Sequence, residues 1–196
     1  MAILTQSHIA DRGSEIALVD ETHSVTWAEL DERVNRLVNG LRSHGLKTGD
    51  TIAVVAGNQC EWFEIAMACA HGGWTYVPVN WHWVADELAY VYADADTKAV
   101  IVDQRFDVAV SASLKDDRAN VVSVVVGIGT TEDAAVRRDS RFIDFETVLA
   151  SASADEPTDQ MLGGPMFYTS GTTGRPKGAV STHRAILSSI MAFSAR

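Results

Sequence analysis

At 196 residues, 46% hydrophobic and 21% charged, the chain has ordinary globular composition and enough length to bury a core. That composition excludes disordered, collagen-like and coiled-coil arrays. Its 26 acidic side chains outnumber 16 basic ones for a net charge of −10, the wrong sign for a nucleic-acid surface, so no nucleic-acid partner is expected. No apolar run approaches the roughly 20 residues that span a bilayer, so no transmembrane segment is expected. Met1–His8 has neither the basic region nor the long apolar region of a secretion signal. The only cysteines, Cys60 and Cys69, share one apolar helical pattern. A disulfide framework is therefore not expected, and a reducing cytoplasm is the expected location.

In chain order, Ile16–Val19 and Val25–Trp27 read as short strands around the polar turn Asp20–Ser24. Thr26 and Glu29 have the T-x-x-E spacing of a capping box. Trp27, Leu30, Val34, Leu37, Val38 and Leu41 then recur at helical steps until Gly45. Thr51–Ala56 is a β-branched apolar run of the kind found in buried parallel strands. A helix from about Glu61 to Ala70 ends at Gly72-Gly73. Further on, Trp74–Val79 reads as strand, Asp86–Ala93 as helix, Ala99–Val102 as strand, Arg105–Leu114 as helix and Val121–Val126 as strand. This alternation predicts an α/β fold, a doubly wound and mostly parallel sheet with flanking helices.

Ser151–Gly164 is small, polar and turn-forming, the best candidate for a linker or surface loop. Strands are expected at Pro165–Thr169 and Ala179–Ser181, and a helix at His183–Phe193. The helical pattern is still running at Arg196, so the sequence is expected to be a fragment.

Between the last two strands lies Tyr168–Gly178, with three glycines, four hydroxyls from Thr169, Ser170, Thr172 and Thr173, and Lys177. A polyphosphate cradle needs these residue types. Glycines let the backbone approach an anion so that successive N–H groups point at it. The hydroxyls donate to phosphate oxygens or ligate a cation, and Lys177 supplies a compact positive charge to which Arg175 and Arg184 add. It is not a Walker A loop, because Lys177 follows Pro176 and precedes a strand pattern rather than opening a helix. The competing reading is a glycine-rich hairpin turn with solvated hydroxyls, but a turn needs no such density of donors.

Tyr168–Gly178 resembles the signature loop of the adenylate-forming (AMP-binding) superfamily: acyl-CoA synthetases, luciferases and peptide-synthetase adenylation domains. Val54–Trp62, Gly72–Asn80 and Glu87–Asp103 are similar to the family's N-terminal segments. The resemblance covers most of the chain from Trp27 onward, with 127–164 the least informative stretch. Ser-Gly-Thr-Thr-Gly at 170–174 leans towards the acyl-CoA synthetases.

The resemblance implies an incomplete N-terminal portion of an acyl-CoA synthetase-like large domain. Residues 1–150 would be an α/β lobe, 151–164 a linker or surface loop, and 165–196 a strand, phosphate-binding loop, strand and helix start. It implies ATP, magnesium and coenzyme A as cofactors or co-substrates. The partners would be a hydrophobic carboxylic acid, such as a fatty acid, and the thiol of coenzyme A or of a carrier protein. Thr169, Ser170, Gly171, Thr172, Thr173, Gly174 and Lys177 would hold the ATP phosphates, with Thr169 also a candidate for magnesium contact. The acidic magnesium ligand, the ribose-binding aspartate and the C-terminal lysine of the family are expected beyond position 196. No catalytic residue is therefore assigned, and this chain alone is expected to be inactive. Two other readings are an acyl-AMP ligase or adenylation domain loading a carrier protein, and a non-catalytic nucleotide-binding module.

In Trp81-His82-Trp83, His82 and Trp83 depart from the family's arginine-leucine, and packing over a loop is their expected role. His8, His23, His44 and His71 have no paired metal-ligand spacing and read as surface or cap residues, as does His183. Cys60 and Cys69 read as small core residues, and Asp94, Asp96 and Asp103 as solvated loop positions.

Overall fold

The computed structural model describes residues 9–80, 82–169 and 174–181. Strands β1 (Ile16–Val19) and β2 (Ser24–Thr26) form an antiparallel hairpin. Helix α1 (Trp27–Ser43) starts at the expected capping box: Glu29 N–H donates to Thr26 Oγ1 at 3.3 Å, and Thr26 N–H donates to Glu29 Oε2 at 2.8 Å. Trp27 thus belongs to the helix rather than to β2, because the cap fixes Thr26 as the last extended residue.

The main sheet comprises β3 (Thr51–Val55), β4 (Thr75–Pro78), β5 (Thr97–Asp103), β6 (Val124–Ile128), β7 (Phe142–Asp144), β8 (Gly164–Thr169) and β9 (Lys177–Val180). Their spatial order is β7-β6-β5-β3-β4-β8-β9. Neighbours are parallel except for the antiparallel β8–β9 pair. Between the strands run α2 (Cys60–Gly72), α3 (Ala85–Asp94), α4 (Asp107–Ser113) and α5 (Phe145–Ala150).

Strand alternation divides the core between the two faces of the sheet. Ile52 and Val54 pack with the buried faces of α1, α2 and α5, while Ala53 and Val55 pack with Leu88, Val91 and Tyr92 of α3 and Val110 of α4. This is the doubly wound, mostly parallel sheet with flanking helices. No helix among the described residues is long and apolar enough to cross a membrane.

The helix expected over Arg105–Leu114 is a 3₁₀ turn, Gln104–Phe106, followed by α4. The strand expected from Val121 starts at Val124, because Asp117–Val121 is a 3₁₀ turn capped by Asp116, which accepts from Arg118 N–H at 2.9 Å. Strand β7 and helix α5 were not anticipated.

Asp103 and His71, expected at the surface, are only 5% and 4% exposed. Asp103 turns inward to cap the following 3₁₀ turn and to pair with the Arg105 side chain. His71 lies in the last turn of α2, beside the Gly72–Met161 bridge.

Residues 151–163 run as a strap along α1. Arg36 Nη1 donates to Ala152 O at 2.7 Å, Asn39 Nδ2 donates to Ser153 O and Asp155 O at 2.9 Å each, and Arg42 pairs with Asp159.

Candidate functional site

Strand β8 leaves the sheet at Thr169 and β9 begins at Lys177, and these two residues pair across the hairpin. Both are exposed, as is Gly174, whose φ of +135° is a conformation that side-chain-bearing residues rarely adopt. Of the expected phosphate-binding residues, Thr169, Gly174 and Lys177 are thus brought to one hairpin mouth. Ser170, Gly171, Thr172 and Thr173 lie outside the described residues, as do Trp81, His183, Arg184 and the helix expected at 183–193. Lys177 opens a strand, as the exclusion of a Walker A loop requires.

The mouth lies at the carboxyl edge of the parallel strands, where open α/β sheets bind ligands. Among the described residues, neither Lys177 nor Arg175 forms an ion pair, and the Lys177 ammonium faces solvent.

The hairpin is fastened to α3 at its base. Tyr168 hydroxyl donates to Asp94 Oδ2 at 2.6 Å, and Tyr90 hydroxyl donates to Pro176 O at 3.0 Å. The Arg175 guanidinium lies 4.9 Å from the Tyr90 ring centroid, and Trp83 meets Tyr168 edge-on at 6.2 Å. Burial, with the Asp94 carboxylate beside it, pushes the Tyr168 hydroxyl well above its ordinary range and keeps it a donor.

Sequence reasoning missed Tyr90 and Asp94. Their four-residue spacing on α3, off the face that buries Leu88, Val91 and Tyr92, was the available signal. Trp83 packs as expected, although its partner is the hairpin itself.

The cysteines are no nucleophiles. Cys60 is 2% exposed and its thiol is pushed up to about 11, first by burial; complete burial raises Cys69 further still.

The sequence matches the AMP-binding enzyme family over residues 5–196. It is 31% identical over 173 residues to the 3-oxocholest-4-en-26-oate–CoA ligase of Rhodococcus rhodochrous, covering 87% of this chain and 31% of that enzyme. It is 29% identical over 181 residues to a fatty acid–[acyl-carrier-protein] ligase of Streptomyces coeruleorubidus, covering 92% and 32%. The fold superposes on the fatty acyl CoA synthetase of Mycobacterium tuberculosis with a TM-score of 0.80 at 24% identity, covering 99% of this chain and 36% of that one. The chain therefore spans about a third of the length of the relatives it matches. Signature loop, sheet and family match agree, and the chain belongs to the AMP-binding enzyme family.

Proposed function

We propose that the chain is the N-terminal portion of an ATP-dependent acyl-CoA synthetase. The enzyme would work in the cytoplasm, activate a fatty or other hydrophobic carboxylic acid as its acyl-adenylate, and pass the acyl group to coenzyme A. The observation that carries this reading is the hairpin mouth, where exposed Thr169 and Lys177 face each other across a glycine- and hydroxyl-rich stretch.

In the first half-reaction a carboxylate oxygen attacks the α-phosphorus of ATP and the bond to the β-phosphate breaks. Negative charge grows on the departing pyrophosphate. Backbone N–H groups at Gly171 and Gly174, the hydroxyls of Thr169, Ser170, Thr172 and Thr173, and the Lys177 ammonium would stabilise that charge. Thr169 offers a neutral hydroxyl oxygen that would suit magnesium as one of several oxygen ligands. In the second half-reaction the coenzyme A thiol displaces AMP from the adenylate.

The test is exchange of labelled pyrophosphate into ATP by the enzyme that carries this chain, over a panel of short, aromatic and long-chain acids. Exchange should require the acid, and AMP should be released with thioester once coenzyme A is added. The 196-residue chain by itself should give no exchange above blank. Acid-independent exchange, or exchange by the isolated chain, would overturn the reading.

A further inference from the structure

The geometry points to a transition-metal site remote in sequence from the nucleotide hairpin, with Asp20, His23 and Cys60 as its ligands. One ligand atom from each lies within 4.8 Å of the other two. The residues are far apart in the chain: the β1–β2 turn supplies Asp20 and His23, and the first turn of α2 supplies Cys60. Spacing along the sequence therefore conceals the cluster.

The turn is already shaped. Asp20 Oδ1 accepts from Thr22 N–H at 2.7 Å, Thr22 Oγ1 at 2.7 Å and His23 N–H at 3.0 Å. Asp20 Oδ2 accepts from Cys60 N–H at 2.9 Å, and the Cys60 thiol also donates to the Asp20 carboxylate, a proton that a cation would replace. Glu61 Oε1 stands 3.9 Å from His23 Nε2, within reach of a fourth position. Although Cys60 is 2% exposed, it lines an open cavity of about 910 Å³ together with Asp20 and Glu61, so an ion has a way in.

One sulfur, one imidazole nitrogen and one carboxylate oxygen suit tetrahedral zinc, with water or Glu61 as the fourth ligand. Bonds of about 2.0–2.3 Å put ligand atoms about 3.3–3.8 Å apart, so modest side-chain rotations close the present spacing around an ion. As the metal–sulfur bond forms, the thiol proton leaves to solvent. Burial and the neighbouring Asp20 carboxylate oppose ionisation of Cys60, so it is the bound ion's own charge that would hold the thiolate. The ion would clamp the β1–β2 hairpin to the main core. The inference is independent of the acyl-CoA synthetase reading.

Cobalt(II) titration of the whole 196-residue chain tests it. A sulfur-to-cobalt charge-transfer band should saturate at one equivalent and be displaced by zinc. Cys60→Ser should abolish the band, while Cys69→Ala, further along α2, should leave it unchanged. His23 is exposed, so His23→Ala should fold normally and weaken binding by at least about tenfold, the loss that even an outer-shell partner can cause. If Cys60→Ser fails to fold, His23→Ala decides. Absence of the band in the unmodified chain, or unchanged affinity in His23→Ala, would overturn the proposal.

Discussion

Glu64 is fully buried between α1 and α2, with Arg33 Nε donating to its Oε1 at 2.7 Å. Arg33 also grips the Glu146 carboxylate at 2.7 Å, so one guanidinium ties α1, α2 and α5 together. Burial raises the Glu64 carboxyl above its ordinary range, and Arg33 opposes the rise. Arg33→Ala leaves a buried carboxylate without its counter-ion and should cost about 3–5 kcal/mol in urea unfolding at neutral pH. A folded-state acid with a raised pKa is least costly when protonated, so that loss should shrink as pH falls through the raised value, and Glu64→Gln should recover part of it.

His71 has the opposite linkage. Burial lowers it from 6.5 to about 4, so in that window the unfolded chain takes up a proton that the fold excludes. Stability should therefore fall as pH drops from about 6.5 to about 4, by about 2–3 kcal/mol attributable to this group, and level off below. Comparing unfolding curves of the unmodified chain and His71→Gln across that range isolates the effect. A difference that does not vary with pH would contradict it.

At the scale of elements, α3 holds the hairpin that carries the signature loop. Tyr168→Phe removes the hydroxyl bond to Asp94 and should cost about 1 kcal/mol, discounted because Asp94 is exposed. Faster amide exchange should be confined to β8 and β9; exchange unchanged there would mean that the bond does not hold the hairpin.

Helix α1 was legible in the sequence because its signals are local: a reciprocal cap at Thr26 and Glu29, a buried stripe, and Gly45 with φ of +96° just past its end. So was the end of α2, where Gly73 adopts φ of +77°. The three-residue β7 and six-residue α5 are too short for periodicity to stand out. Yet Asp144 accepting from Thr147 N–H, ahead of buried Phe145, Val148 and Leu149, is a cap-and-stripe pattern that the sequence carried. For the loop, glycines, hydroxyls and Lys177 were legible as composition. Tyr90 and Asp94 were not, since they reach the hairpin only through sheet order, with β4 neighbouring β8.

Over the molecule, β3, β5 and β6 divide their apolar residues between two buried faces, whereas Phe167 of β8 and Val180 of β9 stay exposed. The strap of residues 151–163, bonded to α1, carries the chain from α5 back to β8, so the loop is borne by a strand inserted beside β4 rather than by a free tail. That placement gives the glycine- and hydroxyl-rich sequence that follows β8 a base in the sheet.

The role of Lys177 tests this account most directly, through separate rates for the two half-reactions in the enzyme that carries this chain. Lys177→Ala should slow adenylation by about 10–150-fold, the equivalent of about 1.5–3 kcal/mol for one charge-assisted hydrogen bond to the departing pyrophosphate. Thioester formation from supplied acyl-adenylate should stay within about twofold, because pyrophosphate has already left. Equal slowing of both steps would contradict the leaving-group role and make Lys177 a structural residue.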